Sequence, residues 1–455
     1  MNTAVAAPEA YPLSDSGAQF DSTNKRQLTN HAAGAIVDQI TVALCSLVIV
    51  VLVRHQLGAG ALGVYAILNT ALALMTALET AYVGDSLTVF DRFNPKLRGA
   101  LVASVMAWGA AAIIIGGFLA IGVETPGGAL IFGVMVCLWV WEETGRRIFM
   151  TRFEFWQLTL NDVIDAAGTF IGLVLLREIF GYYSVTIVIG AMAIGAGLSI
   201  LCAILQLPHY ELKTSKPDFK EMGTLGARFA AWRSAQMGIR PASLYIVRII
   251  ILVLTTKVVV GNLEGARLFS MPAMTYVSGV ASLLLPMYTE EERRKTRAIP
   301  LPLMTFLLVV PIFGYYAIVL HWQHFFAHKL LGGKDPYVST FAIIGWMMVA
   351  LMFAAGQPVA NLLVARNKAR SVFWVRLGDA TFGLVLAALL VKHDPNLAPW
   401  ALAFGMVFGT LGLGWIALKT NPPKDPDPPI GPPDGPPVPH DPELALALAD
   451  VARRR

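Results

Sequence analysis

Apolar stretches recur a dozen times along the chain, separated by short charged clusters, and each is about 20 residues long, the length an α-helix needs to cross the hydrocarbon of a bilayer. Nothing else in the sequence restricts the fold so tightly. The 455 residues are 56% hydrophobic and 14% charged, against roughly 25% charged in a soluble domain, so a water-soluble enzyme is excluded. The stretches fall near 32-53, 62-84, 100-121, 127-141, 158-176, 183-207, 241-260, 264-286, 301-320, 338-364, 371-391 and 397-418. They predict an all-α polytopic membrane protein with twelve transmembrane helices. Trp139, Trp141 and Trp156 beside Arg146, Arg147 and Arg152 read as interfacial anchors where the fourth span ends and the fifth begins.

Lys and Arg concentrate on one set of alternate loops when the N-terminus is placed in the cytoplasm, the side on which basic residues are retained. Twelve spans then return the C-terminus to the same side. The net charge of +5 is spread between apolar segments, which argues against a nucleic-acid partner and for a membrane-lipid environment. Residues 1-30 lack the apolar core of a cleaved leader and form a cytoplasmic tail. Loop 208-240 divides the chain into a bundle of six helices at 31-207 and another at 241-418. The tail 419-455 holds 11 prolines between Pro422 and Pro442, a composition for an extended spacer or docking strand. Cys45, Cys137 and Cys202 lie in apolar runs without metal-ligand spacing. No cofactor or metal site is expected.

The two halves repeat. Leu57-Gly58-Ala59-Gly60-Ala61-Leu62-Gly63-Val64-Tyr65 joins spans one and two, and Val260-Gly261-Asn262-Leu263-Glu264-Gly265-Ala266-Arg267-Leu268 joins seven and eight. Aligning Gly58 with Gly261 gives an offset of 203 residues, each glycine ending a first helix at a tight hairpin. Paired six-helix bundles are a transporter architecture.

With Arg54-His55-Gln56-Leu57-Gly58 and Leu62-Gly63-Val64-Tyr65, the 6+6 arrangement over 31-418 resembles the polysaccharide and oligosaccharidyl-lipid flippases of the multidrug/oligosaccharidyl-lipid/polysaccharide exporter superfamily. The resemblance implies two pseudo-symmetric bundles forming a V with alternating access. It also implies a bacterial inner membrane location and movement of a polyprenyl-pyrophosphate-linked oligosaccharide to the outer leaflet for surface-glycan or exopolysaccharide synthesis. Other polysaccharide-synthesis proteins would then be partners of the C-terminal tail.

Ionisable residues at membrane depth face a cavity or a partner. In the second half Arg248 lies mid-span, with Arg240 and Arg267 nearer the span ends, and only Arg267 has an acid, Glu264, within a helical turn. A guanidinium fork suits pyrophosphate oxygens, so Arg248, Arg240 and Arg267 are the candidate substrate ligands. Arg376 and Asp379 are spaced for a structural ion pair. The first half carries the opposite sign: Asp38, Glu79, Asp162 and Asp165 lack adjacent bases. Asp38, Glu79 and Asp165 are the candidates for ion coupling, or they pair across the cavity with the arginines.

Other chemistries find no motif. Gly332-Gly333-Lys334-Asp335 lacks the hydroxyl of a phosphate loop, and Asp425-Pro426-Asp427 lies in the proline tail. His321, His324 and His328 share a helical face interleaved with Trp322, Phe325 and Phe326, an arrangement of interfacial residues. Two further readings stand beside the flippase: an ion-coupled multidrug or metabolite antiporter with Asp38 central, and a membrane assembly protein that recruits a polysaccharide synthase through its tail.

Overall fold

The computed structural model describes residues 25–89, 95–152, 154–208, 211, 215–294, 300–331, 338–366 and 368–419. Among these, nine helices are long and apolar enough to cross a bilayer, and the first, Val37–Leu87, has 51 residues, about 77 Å of helix at ~1.5 Å per residue. That is more than twice a bilayer. The helix Lys25–Glu79 breaks at Gly58, whose φ of 81° is open to glycine but strained for other residues. Its limbs, 25–57 and 59–79, are spans one and two, and span two continues through a π-helical turn, Thr80–Gly84, into Asp85–Val89.

Spans three to six are Pro95–Ala120, Pro126–Thr151, Phe155–Phe180 and Val185–Gln206. Span five carries Asp162, which is buried, and Asp165, which is half-buried. Span seven, Ala231–Leu254, is entered through Phe219–Leu225 and a second π-helical turn, Gly226–Ala230. Span eight is broken into Lys257–Leu268 and Met271–Arg294. Spans nine to twelve are Leu301–Leu331, Thr340–Ala365, Ala369–Leu390 and Ala398–Lys419. The fold is therefore two six-helix bundles with twelve crossings, and no β-strand occurs among the described residues.

Three sequence expectations need correction. Span four runs ten residues past 141, so Glu142, Glu143, Arg146 and Arg147 belong to a membrane helix. Span seven starts well before residue 241 and contains Pro241, because its early turns pack Leu225 and Ala230 against Val83 and Leu101. The turn equivalent to Gly58 is Thr255–Thr256, where Thr256 caps span eight by accepting from the Val259 N–H. Gly261 lies inside that span.

The two halves meet most tightly at the end carrying these hairpins. A Cβ on Gly63 would collide with the carbonyl of Lys257, and a Cβ on Gly261 would collide with the carbonyl of Ala59. Ala59 and Lys257 are 198 residues apart, as are Gly63 and Gly261, so the contact is reciprocal and the internal repeat has an offset of 198 rather than 203. Small residues let two helix backbones approach in this way. Around them Arg54 donates to Asn262 Oδ1 at 3.3 Å, Tyr245 to the Leu119 carbonyl at 2.9 Å and Lys257 to the Val123 carbonyl at 3.2 Å. At the opposite end, Ser234 donates to the Leu78 carbonyl at 2.8 Å, and Arg233 pairs with Asp85 at 2.7 Å.

Residues 1–24 and 420–455 of the tails and the 332–335 fragment lie outside the described residues, as do the side chains of His324 and His328, while 25–30 already belong to the first helix. His321 is exposed and edge-on to Trp322, with centroids 5.8 Å apart.

Gly261→Ala is expected to lower the thermal unfolding temperature of the purified protein, since overpacking a close contact costs about 1–3 kcal/mol. Gly127→Ala, where an added Cβ meets nothing within 4 Å, is the matched control and should melt like the parent. Equal melting of the two variants would show that the reciprocal contact is not tight.

Candidate functional site

Two buried charge clusters of opposite sign occupy the two halves. In the first, helical spacing puts Glu142, Glu143, Arg146 and Arg147 within about a turn and a half on span four, with Asp162 and Asp165 on span five, Asp38 on span one and Glu79 just before the π-helical turn of span two. Arg146 is the centre. Its guanidinium pairs with Asp162, lies 3.5 Å from Asp38 Oδ2 and 3.2 Å from Glu143 Oε2. One side chain thereby ties three spans together. Arg147 donates to Glu143 Oε1 at 2.7 Å, Thr80 donates to the same oxygen at 3.1 Å, and Thr144 donates to Glu79 Oε1 at 2.9 Å.

Six carboxylates thus share two guanidiniums. The remaining acceptors stand out: Asp38 Oδ1, Glu79 Oε2, Glu142 Oε2, Asp162 Oδ2 and Asp165 Oδ1 are buried with no hydrogen-bond partner among the described residues. Glu79 is 0% exposed and Asp38 1%. Span six reaches the cluster through Gly195, where a Cβ would strike Thr169 Oγ1 and both the carbonyl and carboxylate of Asp165. Asp38 and Glu79 both contact span four, through Arg146 and Thr144, and Asp165 lies one turn from Asp162 on span five. Asp38 takes its counter-ion, Arg146, from span four of the same half, not from the arginines opposite. Sequence reading missed Glu142, Glu143 and Arg146 because span four was ended at its tryptophans, although the i,i+3 and i,i+4 spacing of Glu143 to Arg146 and Arg147 was there to be read.

The second half is cationic. Arg248, the most interior arginine by sequence, is not a free ligand: its Nη2 meets Glu264 Oε2 at 2.5 Å, and it is 5% exposed. Arg267 closes on the same carboxylate at 2.7 Å. Glu264 is thus clamped between spans seven and eight by two guanidiniums, and its pairing with Arg248, 16 residues away, has no linear signature.

Arg240 differs. Its guanidinium lies 3.5 Å from the centroid of the Phe353 ring and donates to Met274 Sδ at 3.3 Å, but no carboxylate lies within ion-pair distance among the described residues. The charges that act on it are those of Arg376 and Arg267, which repel it. Arg376 pairs with Asp379 at 3.3 Å, and Asp379 fits against Gly409 and Gly405 of span twelve. The small pair Gly405-x-x-x-Gly409 therefore serves the close approach of span eleven. Arg240 thus rests on an aromatic face and a thioether sulfur, with no anionic partner among the described residues.

Arg146→Met should destabilise the protein by about 3–5 kcal/mol, the cost of removing one partner from a buried ion cluster. Adding Asp162→Asn should recover part of that loss in a double-mutant cycle of denaturant or thermal melts. Strict additivity would mean that Arg146 does not neutralise Asp162.

No protein-family model matches the sequence, and no curated protein matches it. Solved structures with the same fold do. The chain is similar to the multidrug transporter DinF-BH of the MATE family, with TM-score 0.63 and 11% identity over 87% of this chain and 96% of that one. It is similar to the lipid II flippase MurJ in an inward closed conformation, with TM-score 0.62 and 13% identity over 85% and 87%. A transporter of the MOP superfamily from Pyrococcus furiosus, described by a reversed polarity of its binding pocket, matches with TM-score 0.58 and 11% identity over 87% and 96%. The architecture is the one these transporters share.

Proposed function

We propose that the chain is a flippase of the oligosaccharidyl-lipid and polysaccharide type, moving a polyprenyl-pyrophosphate-linked oligosaccharide from the cytoplasmic to the outer leaflet of a bacterial inner membrane. Both termini then lie in the cytoplasm, and the Gly63–Gly261 contact seals the outer end. The observation that carries this reading is Arg240, a cation at mid-membrane with no carboxylate of its own among the described residues. An unpaired ion at this depth is costly, and an anionic headgroup supplies the missing charge. The two bundles, shared with solved transporters that include a lipid II flippase, support alternating access around that site.

Arg240 takes the central binding role expected of Arg248, whose fork is occupied by Glu264. Arg267, like Arg248, is taken up by Glu264. The prenyl chain stays in lipid while the headgroup exchanges hydration for guanidinium contacts.

The acidic cluster supports a second reading, cation coupling by Asp38, Glu79 and Asp165. Uncompensated buried carboxylates are costly, and protons or sodium ions would neutralise them. An antiporter of cationic compounds would use the same cluster for its cargo.

In liposomes containing the full chain, translocation of a fluorescent polyprenyl-pyrophosphate oligosaccharide should fall at least about tenfold in Arg240→Met, a loss of ~1.4 kcal/mol or more in headgroup binding. Asp38→Asn should leave headgroup binding intact and abolish any acceleration by a proton or sodium gradient. Undiminished lipid translocation by Arg240→Met would remove the assigned role. Efflux of a cationic dye without lipid translocation by the wild type would replace the flippase with the antiporter.

A further inference from the structure

At the end away from the hairpins, each half joins a long crossing to a short helical piece through a π-helical turn. In the first half, span two passes through Thr80–Gly84 into Asp85–Val89. In the second, Phe219–Leu225 passes through Gly226–Ala230 into span seven. The wider winding shows in the backbone: the Asp85 N–H donates to the Thr80 carbonyl and the Ala231 N–H to the Gly226 carbonyl, each five residues back. Such a turn holds one residue more than an α-helical turn, and single π turns inside α-helices recur at functional positions.

The two turns meet across the halves. Tyr82, in the first, donates to the Met222 carbonyl at 3.0 Å, and its hydroxyl lies 2.6 Å from where a Cβ on Gly226, in the second, would stand. Asp85 pairs with Arg233 at 2.7 Å, with side chains 23% and 24% exposed, and an ion pair this open to water is a weak bond. In each of these cross-half bonds one partner sits on a short piece: Met222 on Phe219–Leu225, Asp85 on Asp85–Val89. The long spans are anchored elsewhere, span two by the Thr144 bond to Glu79 at 2.9 Å. Next to Arg233, Ser234 donates to the Leu78 carbonyl at 2.8 Å and is only 5% exposed, so the closed contact shields it.

We propose that the paired π turns are a register switch that opens and closes this end of the molecule. Drawing the extra residue of a π turn into the α-helix turns the short piece by ~100° and advances it by ~1.5 Å relative to its span. Asp85 then leaves Arg233, Met222 leaves Tyr82, and spans two and seven are free to part. The hairpin end, closed by Gly63 and Gly261 on opposing carbonyls, is joined without a π turn. This switch concerns the opening motion alone and serves a lipid headgroup or a cationic cargo equally.

The test is maleimide labelling of Ser234→Cys in the detergent-purified full chain, with Cys45, Cys137 and Cys202 replaced by alanine and no cargo present. Deleting Ala81 from the first turn or Ala227 from the second removes the extra residue while leaving the short piece and its span in their present alignment. The closed contacts then form and the switch is lost, so labelling should slow by at least about tenfold as the open population falls. Asp85→Asn, which breaks the weak pair, should speed labelling severalfold. Labelling unchanged in both deletion variants overturns the register switch, and labelling unchanged in Asp85→Asn overturns the part given to the ion pair. Failure of both deletion variants to fold also contradicts the switch, because the flanking helices would then depend on the extra residue for their alignment. None of these results bears on which cargo is carried, and loss of either cargo reading in the liposome assay leaves the labelling prediction standing.

Discussion

Charge buried in a membrane protein has to be balanced from within or from the cargo, and Arg146 shows how far the first half depends on the former. A single guanidinium is shared by carboxylates from spans one, four and five, and these helices could not otherwise pack their acidic faces together. Balance is incomplete, since five carboxylate oxygens in the cluster keep no partner among the described residues. The second half has the complementary shortage. Glu264 satisfies Arg248 and Arg267, Asp379 satisfies Arg376, and Arg240 is left on a phenyl ring. On the proposed reading each half is finished by an ion that the protein does not supply, a cation in one and an anion in the other.

The way the halves join keeps these two poles apart. Their reciprocal contact, Gly63 on the Lys257 carbonyl and Gly261 on the Ala59 carbonyl, fixes spans two and eight about a pseudo-two-fold relation at the hairpin end. The acidic cluster lies toward the opposite end of its bundle, whereas Arg248, Glu264 and Arg267 lie near the hairpins of theirs. Arg240 and Arg376 sit between. A headgroup and a coupling cation would thus occupy different bundles at different depths, and neither needs to pass through the other's site.

Most of the fold was legible in the sequence because bilayer thickness imposes a length on every crossing, and apolar runs of that length are hard to disguise. The places where reading failed are those where tertiary contacts outweigh local chemistry. Trp139 and Trp141 looked like the end of span four, yet ion pairing with Asp38 and Asp162 carries the helix ten residues further. The apolar run bounds the seventh span at 241, yet apolar packing of Leu225 and Ala230 on spans two and three begins the helical path earlier. The 203-residue register matched glycine to glycine, while the chain repeats turn to turn at 198. For the site, the sign of each half could be read, but not which arginine remains available. That depends on Glu264 reaching across to Arg248 from the neighbouring span and on Phe353 of span ten arriving under Arg240, and no linear spacing encodes either.

The central claim is that an anionic lipid headgroup completes the charge balance of the second half at Arg240. Its most direct test is a cryo-electron microscopy structure of the full chain with a polyprenyl-pyrophosphate oligosaccharide bound. The account predicts phosphate density within hydrogen-bonding distance of the Arg240 guanidinium, above the Phe353 ring. A headgroup seated elsewhere, with Arg240 still resting on Phe353 and Met274 alone, would contradict it.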